Sequence, residues 1–333
     1  MKIGRIVQKS PHEFCLGEMA LEQCEKYKYL VVILSEKKNH EEHQIATKCK
    51  GEAAFNTMAI AGSTDLKNIE LKTIWTTLEA CVTPILTYGT EASNLTKKEK
   101  TTLKQILDNL LKRIVMTPRS TPWEQLYLET GIMDTDSTIT MNKISYMEKI
   151  MRGSNRILKS ILSEDKEGWG YKARKEKEEI MGPSWSPPNT EDGKKQAIKN
   201  AVKEKMLMKI RENGENKSKT KYYLDNKEKI QVGKRAPYMD QLSRREASTI
   251  FAARTRMLDI KNNYKNKYTD MTCRMCKQGE ETQKHVMEEC EKVDYTEIGK
   301  VKNRDIFNEE PRKLRDVARS ISKIMDILKS AAP

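Results

Sequence analysis

Between Cys273 and Cys290 the chain reads CRMCKQGEETQKHVMEEC, which sets Cys273, Cys276, His285 and Cys290 in a C-x2-C-x8-H-x4-C arrangement. Three of the seven cysteines and one of the four histidines fall within these eighteen residues. No other stretch restricts the backbone so tightly, because four ligand atoms converge only if the chain turns back on itself within a short span. Two cysteines two residues apart on a tight turn grip one side of a tetrahedral ion such as zinc. Lys277, Gln278 and Gly279 supply the turn, and ETQKHVMEEC reads as a short helix that returns His285 and Cys290 to the same point. The window holds too little apolar sequence to bury three cysteines as ordinary core residues. No strand-helix-strand pattern surrounds it, which argues against a CxxC redox motif. Three thiolates and one imidazole fill every tetrahedral position and leave a net charge of about −1, so the expected ion is one structural zinc with no open position for catalysis.

Composition decides the partner class. The 333 residues suffice for two or three modest domains, but hydrophobic residues are 37% and charged residues 33%, so part of the chain is expected as exposed helix or linker. A net charge of +14 favours a polyanion, since each phosphate neutralised by Lys or Arg releases condensed counterions. RNA or DNA is the leading partner, ahead of an anionic membrane surface. No run of about eighteen apolar residues is present to span a bilayer, and no apolar block follows Met1, Lys2 and Ile3 as a secretory signal requires. The expectation is an intracellular protein of the nucleus, the cytoplasm or both, and the odd, widely spaced cysteines fit a reducing compartment.

The expected fold class is mainly α, with a small N-terminal β-hairpin piece, a helical bundle, a Lys-rich linker and a small C-terminal zinc module. Residues 1–35 carry the strand character, in IGRIVQ, EFCLG, EMALEQCE and KYKYLVVILS, with the apolar burst from Tyr29 to Leu34 read as a buried strand. Four short strands bury too little by themselves, so this piece is expected to belong to a larger sheet. Residues 36–152 turn helical. Thr96 and Glu99 form a capping box, after which Leu103, Ile106, Leu107, Leu110, Leu111 and Ile114 make one stripe. Lys97, Lys100, Lys104 and Lys112 lie beside that stripe and Arg119 follows it, a basic edge that is either a nucleic-acid contact or an ordinary solvated face. A second capping box is expected at Thr121 and Glu124, and a kink at Pro84. His40 and His43 read as a solvated helix end, and Cys15, Cys24, Cys49 and Cys81 as small buried residues.

Residues 153–235 are the most basic. Within residues 194–235, fourteen Lys or Arg stand against five Asp or Glu, so a partly ordered basic arm is expected. Residues 236–333 hold an Arg-rich helix, the Cys-Cys-His-Cys element and a C-terminal helix striped by Leu314, Val317, Ile321, Ile324, Met325 and Leu328. Arg244, Arg245, Arg254 and Arg256 stand on or beside the first of these helices, and their guanidinium forks suit phosphate.

The run CEKYKYLVVILS, then CVTPILTYGTEA, then TPRSTPWEQLYLETG, then LSRREASTIFAARTRMLDIKNNY before the terminal Cys-Cys-His-Cys element, resembles the region downstream of the polymerase palm in non-LTR (LINE-type) retrotransposon endonuclease-reverse transcriptases. The motifs are weak singly, and their shared order carries the resemblance across most of residues 20–295. It implies a palm-edge remnant at 1–35, a thumb-like domain at 36–152 and a zinc segment that helps grip template RNA or primed target DNA. Val31 stands where that family has the glycine of YLG, and Ser93 where an aromatic is frequent. A reverse transcriptase holds two divalent ions on palm aspartates, including a paired Asp-Asp, and this sequence has no such pair. It also has no G-x-S-x-G elbow, Walker loop or H-E-x-x-H motif. The expectation is therefore a nucleic-acid-binding segment with no enzyme active site and no small-molecule substrate, its polymerase region lying upstream. The alternative is a relic of such an element, or a protein-interaction scaffold built from the same helices.

Overall fold

A computed structural model describes residues 14–21, 24–29, 31–35, 41–61, 69–186 and 188–331. The chain is mainly α-helical, with two small antiparallel strand pairs near its N-terminus. In the first pair, β1 (Phe14–Leu16) and β2 (Met19–Leu21) close about Gly17, whose φ of +64° a glycine adopts without strain. In the second, β3 (Lys26–Tyr29) pairs with β4 (Val32–Ser35), Tyr29 opposite Val32. The run KYKYLVVILS is thus a hairpin and not one buried strand. Val31 sits in its turn at φ +72°, and Tyr29 and Val31 are exposed. The expected strand IGRIVQ lies outside the described residues.

Helix α1 (Glu41–Ala61) follows. His43 near its start is half-buried: its Nδ1 accepts from Ile33 N at 3.4 Å and its Nε2 lies 3.4 Å from the Tyr88 carbonyl oxygen, so it joins the hairpin to the helices and is not a solvated end. His40 lies outside the described residues. Next come α2 (Leu71–Thr77), a π turn at Leu78–Val82 and α3 (Thr83–Thr87), running on without a break. Proline lacks an N–H and crowds the carbonyl four residues back, and the wider turn just before Pro84 accommodates both defects. The expected kink is therefore a π turn, and Trp75, Leu78, Val82 and Leu86 keep one buried face.

α4 (Lys97–Ile114) opens with the Thr96–Glu99 capping box and buries all six residues of the expected stripe. Each such side chain contributes roughly 1.5–3 kcal/mol of burial. α5 (Trp123–Thr130) begins differently from expectation, with Pro122 as its N-cap and no side-chain cap. The Thr121 hydroxyl bonds to that of Thr117, and the buried Glu124 turns to Lys217 at 2.6 Å. α5 ends at Gly131, where a Cβ would come within 2.4 Å of Arg235 N, so only glycine lets the segment around Arg235 lie directly against it.

The basic stretch 153–235 is largely helical. α6 (Thr135–Arg152) leads into α7 (Arg156–Glu164), α8 (Trp169–Met181), α9 (Glu191–Glu215) and α10 (Ser218–Asn226). Ile198, Val202, Met206 and Ile210 form the buried stripe of α9 at i+4 spacing, and Met206, Ile210 and Tyr223 join the main core. That core continues through α11 (Tyr238–Gln241) and α12 (Arg244–Arg254) into the Cys-rich element. α13 (Tyr295–Ile298) and α14 (Asn303–Ile306) precede α15 (Pro311–Ser330), whose stripe of Leu314, Ile321, Ile324 and Leu328 is fully buried. Trp75 Nε1 donates to the Met239 carbonyl at 3.2 Å, fixing α2 to α11. No described helix is long and apolar enough to cross a membrane.

Candidate metal centre and basic groove

Cys273 begins a turn in which Lys277 N donates to its carbonyl at 3.0 Å and Cys273 N donates to Gly279 O at 2.7 Å. Lys277 takes φ +59° to close that turn. A Cβ at Gly279 would lie 3.0 Å from His285 Cε1, so glycine lets the imidazole approach the knuckle. His285 opens a π turn, His285–Glu289, in place of an ordinary α-helical turn. Cys290 N donates to His285 O at 2.9 Å, an i→i+5 bond that brings residues five apart onto one side. The x4 spacing of the sequence is thereby matched to the wider turn.

The four ligand atoms lie within 4.8 Å of one another. Cys273 Sγ and Cys290 Sγ are 3.9 Å apart, and Cys276 Sγ is 3.3 Å from His285 Nε2. For tetrahedral zinc with Zn–S near 2.3 Å and Zn–N near 2.05 Å, the corresponding edges are about 3.8 and about 3.6 Å. The set can therefore hold one metal ion, and its dimensions and soft donors are compatible with zinc. Burial, with the neighbouring Cys273 thiol adding to it, pushes the Cys290 thiol up to about 12. At Cys276 burial is outweighed by the amides of Gly279 and Gln278 and by His285, which lower the thiol to about 6. A coordinated cation holds all three sulfurs as thiolates.

Two partners outside the ligand set hold this element in place. The buried Glu281 carboxylate accepts from Lys261 N at 2.8 Å, from Arg274 N at 2.9 Å and from the Arg274 guanidinium at 2.7 Å. The Tyr295 hydroxyl donates to Val286 O at 2.9 Å and accepts from Cys290 N at 3.1 Å. Val286 and Met287 are buried in the same core as α15. The other four cysteines do not follow expectation: Cys15, Cys49 and Cys81 are exposed and Cys24 is half-exposed, because each falls on the outer side of its strand, helix or loop.

The nine expected basic contacts divide into distinct groups. Arg254 is only 1% exposed and is no surface contact: its Nη1 lies 3.0 Å from both Glu129 carboxylate oxygens, while Nε and Nη2 donate to Ile306 O and Asn308 O. Tyr223 and Lys227 also donate to Glu129, at 2.5 and 3.0 Å. No local sequence pattern signals this buried network, since Glu129 sits 125 residues before Arg254 in the chain. Arg244 donates to the Ile114 and Arg113 carbonyls, where it closes the C-terminus of α4. Lys100 pairs with Asp136 and Lys104 with Asp108, and Lys104 also covers the Trp123 ring at 4.2 Å. Lys97 and Arg245 are exposed, and Arg256 is half-buried.

Lys112 and Arg119 line a concavity of about 630 Å³ between α1 and α4, joined there by Lys48 and Arg113. Lys112 Nζ donates to the Arg119 carbonyl at 2.7 Å, and Arg113 reaches Asn56 and stacks 4.9 Å from the Phe55 ring. Burial holds the Lys112 ammonium below its ordinary value, with Asp108 opposing and Lys104 adding to the effect. Among the described residues one carboxylate, Glu52, lines this groove against four cations. Lys48 carries no sequence signal of its own, because α1 lacks a clean apolar stripe that would show which of its faces turns toward α4. A second groove of about 240 Å³ lies between α12 and α15, with Arg245 and Lys329 balanced by Asp259 and Asp326 on its walls, and the two grooves share Met116. No protein-family model matches the chain, and no curated protein matches it.

Proposed function

We propose that this chain binds single-stranded RNA or DNA along the groove between α1 and α4, with a structural zinc ion ordering the C-terminal element behind it. The observation that carries this reading is the convergence of Lys48, Lys112, Arg113 and Arg119 on one concave surface. Basic side chains from two helices and a loop, set into a groove, can follow a phosphate backbone, and a net charge of +14 adds long-range attraction. Zinc is the favoured metal because three thiolates and an imidazole at tetrahedral spacing suit it and leave no site for catalysis. The ordered motif resemblance supports the finer reading of a thumb and zinc segment from a LINE-type reverse transcriptase.

The test is equilibrium binding of the full chain to fluorescent RNA and DNA oligonucleotides across a salt series. Affinity is expected to fall steeply with salt, and replacing Lys48 and Arg113 by Gln should lower the slope of log K against log salt by about 0.7 for each phosphate no longer neutralised. Undetectable or salt-insensitive binding would sink the proposal. One observation favours a protein-interaction scaffold instead: α7 buries Leu162 but leaves Ile157, Leu158 and Ile161 exposed. Capture of a defined protein partner through that face, without affinity for oligonucleotides, would select that reading.

A further inference from the structure

Beyond the two grooves lies a pair of cations that the fold leaves without a carboxylate among the described residues. Arg256 follows α12 at φ +52° and sets its guanidinium carbon 3.8 Å from the centre of the Tyr222 ring. Its Nε is buried without a hydrogen-bond partner. Lys219, in the first turn of α10, places Nζ 3.3 Å from Met257 Sδ and 4.9 Å from the Tyr264 ring. Aromatic faces and a thioether receive both charges. The acids in this region are engaged elsewhere: Glu124 with Lys217, Glu129 with Lys227 and Arg254, and Asp259 with Arg274. Burial, and then the charge of Arg256, hold the Lys219 ammonium below its ordinary value.

We infer that Lys219 and Arg256 form a clamp for one backbone phosphate of the nucleic acid, an inference that rests on the binding reading above. Two half-desolvated like charges repel, and an anion between them removes that cost while gaining charge-assisted hydrogen bonds. A phosphodiester suits the pair because its two free oxygens can meet a guanidinium fork on one side and an ammonium on the other. α10 starts without a side-chain cap, so its dipole adds positive potential at Lys219. The location also fits: Met257 and Asp259 line the second groove, and that groove meets the first at Met116. Lys219 reaches the Met257 side chain, which lines the second groove.

The experiment uses the full chain and a labelled single-stranded RNA. Lys219→Gln and Arg256→Gln are each expected to weaken binding roughly 3- to 10-fold at low salt and to lower the salt slope by about 0.7, with Arg256→Lys keeping most of the slope. Thermal melting checks that each variant is folded. Should either variant melt early, acetylation of Lys219 in the unaltered chain is the second measurement, and bound RNA is expected to protect it. Unchanged affinity and slope, or no protection of Lys219, while Lys48→Gln and Arg113→Gln still weaken binding, would overturn the clamp and leave the groove reading intact. Absence of RNA binding by the unaltered chain would overturn both.

Discussion

Arg254 and Glu129 form a buried ion pair, the guanidinium Nη1 3.0 Å from each carboxylate oxygen, and it joins α12 to α5. Both side chains are essentially inaccessible to water. Desolvating two charges costs several kcal/mol, and the pair survives because Tyr223, Lys227 and two carbonyls satisfy the remaining donors and acceptors. Removing one partner leaves the other buried and uncompensated. Arg254→Met is therefore expected to lower unfolding stability by about 3–5 kcal/mol, measured by urea denaturation. Its folded fraction should keep the salt slope of RNA binding, which separates this arginine from Lys112 and Arg113. A stable Arg254→Met variant with a shallower slope would return Arg254 to the binding surface.

The same pair sets an acid limit. Burial would raise the Glu129 carboxyl, but Arg254, Lys227 and the Tyr223 hydroxyl outweigh it and lower the group from its ordinary 4.5 to about 2. Because the folded value is depressed, the stabilisation is fully present above pH 4.5 and is lost as pH falls from there toward 2. Urea unfolding at stepped pH should show stability declining through this window. Glu129→Gln, less stable at neutral pH, should decline less across it. Parallel pH profiles for the two proteins would remove Glu129 as the source.

Metal removal should be felt beyond the four ligands, because Val286 and Met287 stand between the ligands His285 and Cys290 and share the core of α15. Elemental analysis is expected to find about one zinc per chain, and none in Cys273→Ser. Hydrogen exchange in Cys273→Ser, or after chelation, should accelerate across residues 272–293 and more weakly in α15. One zinc retained by Cys273→Ser would exclude Cys273 as a ligand, and unchanged exchange after complete metal loss would show that the element is ordered without it.

How legible each feature is in the sequence depends on how far apart its parts lie in the chain. α4 can be read fully, since Thr96, Glu99 and the six stripe residues signal start and buried face within one helix. The four metal ligands are readable for the same reason. The π turn that aligns His285 with Cys290 is not, because helical periodicity presumes 3.6 residues per turn. Arg254 looks like its neighbours Arg244, Arg245 and Arg256, and only tertiary packing puts Glu129 beside it. The outward face of α1 is equally hidden, and with it the part of Lys48 in the groove.

Val31 occupies the turn between β3 and β4 at φ +72°, a conformation in which an L residue crowds its own carbonyl and a β-branched side chain fares worst. Glycine adopts this backbone conformation without strain. Val31→Gly removes the left-handed strain, of roughly 1–2 kcal/mol, but adds unfolded-state entropy worth roughly half of that. Val31 is also 46% exposed, so little packing is lost. The hairpin should therefore gain from a few tenths to about 1 kcal/mol, read as slower hydrogen exchange at the amides of Tyr29 and Val32, the pair that flanks the turn. Faster exchange at those amides would mean that the Val31 side chain contributes packing that outweighs its strain.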